Sequence, residues 1–462
     1  MGVYLLLIVG VTTSVTGAAT DCTAWPACGS GWSLPLTMDG WVAIGHRAVG
    51  AIVGVTMVAT AIVAWREGVS RRILIAVFLA LVLYPPQAAV GAIVATSGTT
   101  PIVPWLHLAG GIVIFAALLA ALAWWLEAET GDPDDTPDTV RNLSPPGADA
   151  PGDAATGGVA GASGRTPQLP ERRIGRLKLT LSAYFRLMKP RLMWLLCLVA
   201  AAAMALAGGP GLTTYAIAAT LVGGALAIGA SGTFNHVLER DRDRRMQRTS
   251  DRPLATDLVS VPRAIVFGFV LAGVSLWLFW TVEPLAAVLG AVAIVFYSVV
   301  YTLILKPNTV QNTVIGGAAG ALPALIGWAA VTGEIGLGAI VLAALIFLWT
   351  PAHFYNLALA YKDDYERGGF PMMPVVRGET TTRRHIVWYF GATLVAAAVL
   401  AASSTLGWLY VAVGVGLGAV FLWAIVRLHY EQTESAAFRA FHASNAYLGL
   451  VLFAIVFEGL AF

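Results

Sequence analysis

The sequence predicts an all-α, polytopic membrane protein made of a four-helix bundle and a nine-helix block, and three observations predict it. The chain of 462 residues is 58% hydrophobic and only 12% charged, about half the charge of an ordinary soluble domain. Its apolar runs reach the roughly 20 residues that a membrane-crossing helix needs. Lys and Arg gather in alternate loops, as they do on the cytoplasmic side of a membrane.

In order, the apolar runs fall near 2–20, 40–64, 73–96 and 103–126, and then near 188–207, 213–235, 262–281, 283–304, 310–331, 335–355, 385–404, 406–427 and 441–461. The first run lacks the basic start of a signal peptide and reads as a helix. The stretch between the blocks is rich in Pro, Gly, Ala and Asp and has no apolar periodicity, so it reads as a disordered linker. The expected division is therefore a front domain 1–127, a linker 128–179 and a back domain 180–462. Arg66, Arg71, Arg72, the basic residues from Arg172 to Arg191, the arginines from Arg240 to Arg252, Lys306, Lys362, Arg367, Arg383, Arg384 and Arg427 all fall on one face if the spans number four and nine. That face is expected to be cytoplasmic, with the linker and the acidic motifs on it, in a multi-pass protein of the cell membrane. The net charge of +2 singles out no partner, and no nucleic acid is expected.

The chemistry begins where the second run of the back domain ends. Asn235, Glu239 and Asp243 recur every four residues, which stacks them on one face of a helix. Oxygen ligands of this kind suit Mg²⁺, which keeps some of its waters and is often shared with substrate phosphates. Arg240, Arg242, Arg244, Arg245, Arg248 and Arg252 are interleaved with the acids. They would repel a bare cation but grip the phosphates of a Mg²⁺–polyanion pair. Asp241 falls off this face on an ideal helix. A solvated loop of mutually paired charges is the plainer alternative, and it leaves the helical register of the acids unexplained.

A second cluster, Thr350 to Gly378, repeats the spacing at Asn356, Ala360 and Asp364, with Asp363, Lys362 and Arg367 beside it. The two clusters are expected to face each other across a polar cavity, because charged groups at membrane depth usually line one. Two metal–diphosphate clusters over such a cavity imply chemistry on a lipid diphosphate. In the front domain, Cys22 and Cys28 sit six apart on an outer loop and can form a disulfide there. Cys197 lies inside a span and reads as a packing residue. His46 and His107 lie near the outer ends of spans two and four. Two such histidines can hold one heme iron, or they are unrelated polar residues in helix contacts.

The back domain resembles the UbiA-type intramembrane prenyltransferases, and more narrowly the protoheme IX farnesyltransferase (heme O synthase) family. The stretches that carry the resemblance are "YFRLMKPRLMWLL" (184–196), "FNHVLERDRDRRMQRTSDRPLA" (234–255), "YTLILKPNTVQNTVIGGAAGALPALIGWAA" (301–330), "WTPAHFYNLALAYKDDYERGGFPMMPVVRG" (349–378) and "AFHASNAYLGLVLF" (440–453). The resemblance implies that Asn235, Glu239, Asp243, Asp363 and Asp364 form the catalytic group. Asn235, Glu239, Asp243 and Asp364 would hold Mg²⁺, and Arg248, Arg252, Lys306 and Lys362 would bind the diphosphate. His353 would sit near the porphyrin. His236, His385, His429 and His442 are read as structural. Glu239 stands where relatives usually carry Asp, one methylene shorter, and Pro307 where they tend to carry a second basic residue after Lys306.

The front domain resembles one four-helix half of heme A synthase, in "GVTTSVTGAATDCTAWPACGSGW" (10–32), "GHRAVG" (45–50), "PPQAAVGAIVATSGTTP" (85–101) and "WLHLAGG" (105–111). This resemblance implies His46 and His107 as heme-iron ligands. Ala43 stands where relatives often place a Glu, which argues for heme binding without oxygenation. Together the two resemblances imply transfer of a farnesyl group from farnesyl diphosphate to the vinyl group of protoheme IX, giving heme O and diphosphate for respiratory oxidases. The implied partners are those two substrates, the lipid bilayer, and heme A synthase or oxidase-assembly proteins. A quinone or lipid prenyltransferase of the same fold is the nearest alternative. A non-catalytic heme-binding or oxidase-assembly membrane protein is the other.

Overall fold

The computed structural model describes residues 1–15, 22, 24–28, 35–96, 102–132, 135 and 173–461. Helices α1 (Gly2–Val15), α2 (Met38–Arg66), α3 (Arg71–Thr96) and α4 (Ile102–Thr130) form the front bundle. The back domain opens with α5 (Arg173–Leu187), α6 (Pro190–Ala207), α7 (Thr214–Asp243), α8 (Val261–Val282) and α9 (Pro284–Val295). A π-helical stretch, Phe296–Leu305, and the single turn α10 (Lys306–Asn308) extend α9. There follow α11 (Asn312–Thr332), α12 (Leu337–Ala360), α13 (Lys362–Arg367), α14 (Met373–Val376), α15 (Glu379–Ala402), α16 (Trp408–Glu431) and α17 (Glu434–Ala461). No strand occurs among the described residues.

Twelve of the described helices are long and apolar enough to cross a membrane, three in the front bundle and nine in the back domain, and α1 is a shorter apolar helix beside them. The protein is thus a multi-pass membrane protein, with three span-length helices and the shorter α1 in front and nine span-length helices behind among the described residues. Helices suit this setting because each satisfies its own backbone groups where no water can. Pro85 and Pro86 in α3, Pro323 in α11 and Pro351 in α12 are carried inside such spans, as neighbouring helices allow. Thr213 caps the start of α7 by accepting from the Ala216 N–H, the usual remedy for a free helix N-terminus.

Two boundaries differ from the sequence reading. The helix runs about two turns beyond the apolar run that ends near 235, to Asp243, so Asn235, Glu239 and Asp243 share one helical face as their spacing predicts. The linker assigned to 128–179 gives way at both ends: α4 continues to Thr130, and α5 starts at Arg173. In α5, Ile174, Leu177, Leu181 and Phe185 make an apolar stripe at helical spacing, which basic neighbours obscure in the sequence. Residues 133, 134 and 136–172, and with them most of the stretch expected to be disordered, lie outside the described residues.

The front bundle packs directly on the back domain, α1 against α15 and α16 and α4 against α15. Tyr4 is fully buried and joins Tyr410, Phe421 and Tyr447 in one core. Gly391 makes the close approach possible, since a Cβ there would lie 2.0 Å from Leu119 Cδ2. At the charged end, Glu127 pairs with both Arg384 and Arg72. Asp135 Oδ2 accepts from the Thr380 N–H at 2.6 Å, and Gln432 Nε2 donates to the Thr130 carbonyl at 2.9 Å.

Candidate active site

Asn235, Glu239 and Asp243 line the buried face of α7, each no more than 3% exposed. Each has a polar partner, which buried groups of this kind require. Lys306 Nζ donates to Glu239 Oε1 at 2.5 Å. Arg252 Nη1 donates to both Asp243 oxygens at 2.8 Å and lies 3.9 Å from Glu239. Lys189 Nζ donates to Asn235 Oδ1 and, at 3.3 Å, to Tyr297 Oη, while Asn235 Nδ2 donates to Thr302 Oγ1 at 3.0 Å. Tyr297 and Thr302 come from the π-helical stretch, where Thr302 Oγ1 donates back to the Tyr297 carbonyl at 2.8 Å. Such stretches are rare and often mark functional sites.

Lys189 was not among the residues the sequence singled out. It sits at the left-handed turn between α5 and α6, with φ of 56°. Burial, and then the Arg252 guanidinium, push its ammonium down to about 7. An arriving anion would hold the proton in place.

The second cluster meets the first through a different geometry from the one expected. α12 ends at Ala360, and Tyr361, at φ −117° and ψ 29°, breaks the helix before α13. The register Asn356–Ala360–Asp364 is therefore interrupted, and Asp364 does not stack above Asn356. Asp364 is buried and reaches instead to the arginine-rich loop. Its Oδ1 accepts from the Gln247 N–H at 2.7 Å, its Oδ2 from the Arg248 N–H at 3.2 Å, and Arg367 donates to Oδ1 at 2.9 Å. With these three donors, Asp364 ties the loop that carries Arg248 and Arg252 to the second cluster.

Arg248 lies over the rings of Tyr361 and Tyr365, at 5.0 and 5.4 Å, and donates to Tyr365 Oη at 3.2 Å. Lys306 lies 4.3 Å from the centre of the Phe370 ring. Two expected site residues point elsewhere. Lys362 donates to Glu379 at 2.9 Å, at the head of α15, and Asp363 is exposed. Asp241 is also exposed, beside Arg240 and Arg244, as its phase on the helix required. His353 is stacked between Trp349 and Phe441, at 4.3 and 4.4 Å, and its Nδ1 is 2.6 Å from Ser444 Oγ. These contacts cover both faces of the ring and occupy Nδ1.

Beside this cluster a narrow apolar slot runs between α6, α7 and α11, with Lys189 and Tyr297 among its lining. Among the described residues, no three His, Cys, Asp or Glu side chains gather into a ready-made metal site. The donors Asn235, Glu239 and Asp243 fit Mg²⁺ nonetheless, because that ion takes few protein oxygens and completes its shell with water and phosphate.

The front bundle encloses a cavity of about 580 Å³ lined by residues of α1 to α4, including His46, Arg47, Tyr84, Gln87 and His107, and by Ala402 of the back domain. The Nδ1 atoms of His46 and His107 are buried without a hydrogen-bond partner among the described residues. α2 and α4 run in the same direction, and both histidines lie near their starts, which matches their depth. Cys22 and Cys28 form a disulfide. Arg47 holds that loop through the carbonyls of Ala24, Ala27 and Cys22, at 2.8, 2.6 and 3.2 Å, and Trp25 and Pro26 of the loop line the cavity.

A nine-span fold with paired carboxylates, amide and cations at the mouth of an apolar slot defines an intramembrane prenyltransferase. The comparisons agree: a family model described as the UbiA prenyltransferase family matches residues 195–451, and one described as cytochrome oxidase assembly protein matches residues 37–145. The chain is 62% identical over 462 residues to a protoheme IX farnesyltransferase of Haloquadratum walsbyi, covering 100% of this chain and 94% of that one. It is 42% identical over 294 residues to a protoheme IX farnesyltransferase of Mycobacterium avium, covering 63% of this chain and 94% of that one. A solved structure described as digeranylgeranylglyceryl phosphate synthase shares the fold, with a TM-score of 0.51 at 14% identity over 61% of this chain and 99% of that one. The chain belongs to the UbiA prenyltransferase family, and within it to the protoheme IX farnesyltransferases.

Proposed function

We propose that the back domain transfers a farnesyl group from farnesyl diphosphate to the vinyl group of protoheme IX, giving heme O and diphosphate. The observation that carries this reading is the buried group of Asn235, Glu239 and Asp243, ringed by Lys189, Lys306 and Arg252, beside an apolar slot. The diphosphate sits among the cations, and the tail lies in the slot. The carbon–oxygen bond breaks and diphosphate leaves with the bonding pair, so an allylic farnesyl cation forms. The vinyl electrons close the new carbon–carbon bond. A water then adds to the porphyrin-side cation and loses a proton to give the hydroxyl of heme O. Asn235, Glu239 and Asp243 would hold Mg²⁺, which when bound supplies charge to stabilise the departing diphosphate. Lys306 and Arg252 are freed to turn from carboxylate to phosphate oxygens, and Arg248, held over its tyrosines, adds a further guanidinium. Burial keeps water from the farnesyl cation until the carbon–carbon bond has formed and strengthens each of these contacts.

The cytoplasmic side is assigned to this site and to the linker, from the placement of Lys and Arg. His46 and His107 are the residues that would hold one heme iron. The cavity of about 580 Å³ that both histidines line supports this. The test is direct. Purified protein with Mg²⁺, labelled farnesyl diphosphate and protoheme should yield labelled heme O, identified by mass. Label appearing instead on a hydroxybenzoate acceptor would favour a quinone-type enzyme. Bound heme with no diphosphate released would favour a non-catalytic heme protein.

A further inference from the structure

The apolar slot has a definite far end. On α7 its lining runs from Gly232 to Thr220, and on α6 from Lys189 to Ala200. Twelve and eleven helical residues at about 1.5 Å each give a slot of roughly 16–18 Å. An extended isoprene unit contributes four chain bonds of about 1.5 Å, or about 5 Å of reach. Three units therefore fit, at about 15 Å, and a fourth overshoots.

Phe279, from the last turn of α8, closes that end. Its ring is fully buried. It spans from α7 to α9, where two glycines make room for it. A Cβ on Gly223 would stand 3.0 Å from the ring, and one on Gly290 only 2.6 Å away. The backbone behind it is pinned, because Ser275, one turn earlier on α8, donates to the Gly223 carbonyl at 2.7 Å. Ring and support thus form a fixed stop where the tail would have to continue. Part-way along the slot, Gly224 contributes no side chain, and a Cβ there would meet nothing within 4 Å.

We infer that Phe279 is the residue that sets prenyl length, by ending the slot after three isoprene units. The inference rests on the farnesyl-transfer reading and adds to it the residue that measures the tail. Phe279 touches no diphosphate and no acceptor, so its effect is on which tail is accepted.

Two opposed substitutions in the full-length protein test this, with geranyl, farnesyl and geranylgeranyl diphosphate competing for protoheme and the products resolved by mass. Phe279→Ala should raise kcat/KM for the geranylgeranyl donor relative to the farnesyl donor at least about ten-fold, since even one methylene in a fitted apolar site is worth about that much. Phe279→Leu should shift the ratio the same way by less, and it serves if the alanine variant does not fold. Gly224→Leu, which enters open space, should do the reverse and favour the geranyl over the farnesyl donor at least about ten-fold. Folded variants whose donor ratios all stay within two-fold of the parent would overturn the length stop while leaving farnesyl transfer intact. A parent protein that prenylates protoheme with none of the three donors would overturn the functional reading itself.

Discussion

In the front bundle, His46 and His107 face a cavity with Nδ1 atoms that no described residue satisfies. In the back domain, Glu239, Asp243 and Asn235 are more deeply buried than these half-buried histidines, and each is met by Lys306, Arg252 or Lys189. Both regions are helical bundles in lipid, and both place polar groups where they are expensive. The difference marks two kinds of binding. On the proposed reading, a heme iron entering the front cavity would displace no protein partner of these histidines. A met carboxylate must first give up a cation, so substrate binding there is an exchange of partners. Such an exchange is selective, because removing one member of a buried pair without replacement is strongly unfavourable.

The largest effects should come from breaking the exchange. Glu239→Gln or Asp243→Asn leaves a cation without its carboxylate and gives Mg²⁺ a much weaker ligand. Heme O formation should fall at least about 100-fold, in the range seen when one transition-state contact is lost. Glu239→Asp keeps the carboxylate and should be mild. Chelating Mg²⁺ should likewise stop transfer and restoring it should recover it, while the front-domain heme spectrum stays unchanged through both steps. Either acid-to-amide variant making heme O at the parent rate would remove these residues from the site.

Asp364→Asn should come next, with a loss on the order of ten-fold. Its charge strengthens the bonds from the Gln247 and Arg248 N–H groups, and each bond to a charged group is worth about 1.5–3 kcal/mol. The farnesyl-diphosphate KM should rise as Arg248 and Arg252 lose their place. A variant whose KM is unchanged and whose only defect is weaker Mg²⁺ binding would make Asp364 a ligand after all.

The front bundle should respond in the opposite sense. In the full-length protein, His46→Ala or His107→Ala should convert a low-spin heme spectrum to high-spin or lose the heme, with heme O formation within about two-fold of the parent. Parent protein that shows no Soret shift with excess hemin would end the ligand assignment. Ala43 leaves this half without the carboxylate that related proteins often carry, so no heme A should form from this chain alone; heme A in the product would refute that.

Much of this contrast was legible in the sequence, and for physical reasons. Spans announce themselves by length and composition, and the Asn235–Glu239–Asp243 register follows from helix geometry within one element. The cysteine pair and the histidine depths were readable in the same local way. What escaped was long-range. Lys189 meets Asn235 across 46 residues, and Lys306 meets Glu239 across 67. The helical spacing of Asp364 from Asn356 suggested one shared face, and the break at Tyr361 gives Asp364 a different approach to the first cluster. Lys362 looked like a diphosphate contact because of its neighbours, until Glu379 claims it. The signal that could have found Lys189 was present, a basic residue directly before the proline that opens an apolar run.

The docking of the front bundle on α15 and α16 was also invisible to spacing, and it bears on the smallest effect expected. A chain starting near Pro170 loses α1 and α4 and uncovers Tyr447, Gly391 and their neighbours. In water that would expose a core. In a bilayer, lipid tails are as apolar as the helices they replace, so little driving force is lost. The Tyr410 hydroxyl keeps its bond to the Ala397 carbonyl inside the back domain. The pair Glu127–Arg384 and the Asp135 contact disappear, and partly exposed pairs of this kind are worth at most about 1 kcal/mol each. None of these residues touches the diphosphate site. The truncated protein should therefore fold in membranes, melt a few degrees lower, and make heme O within about three-fold of the parent rate. If it folds, binds Mg²⁺ and protoheme, and still makes no heme O, then the two regions do not differ as independent sites, and the front bundle is part of the catalyst.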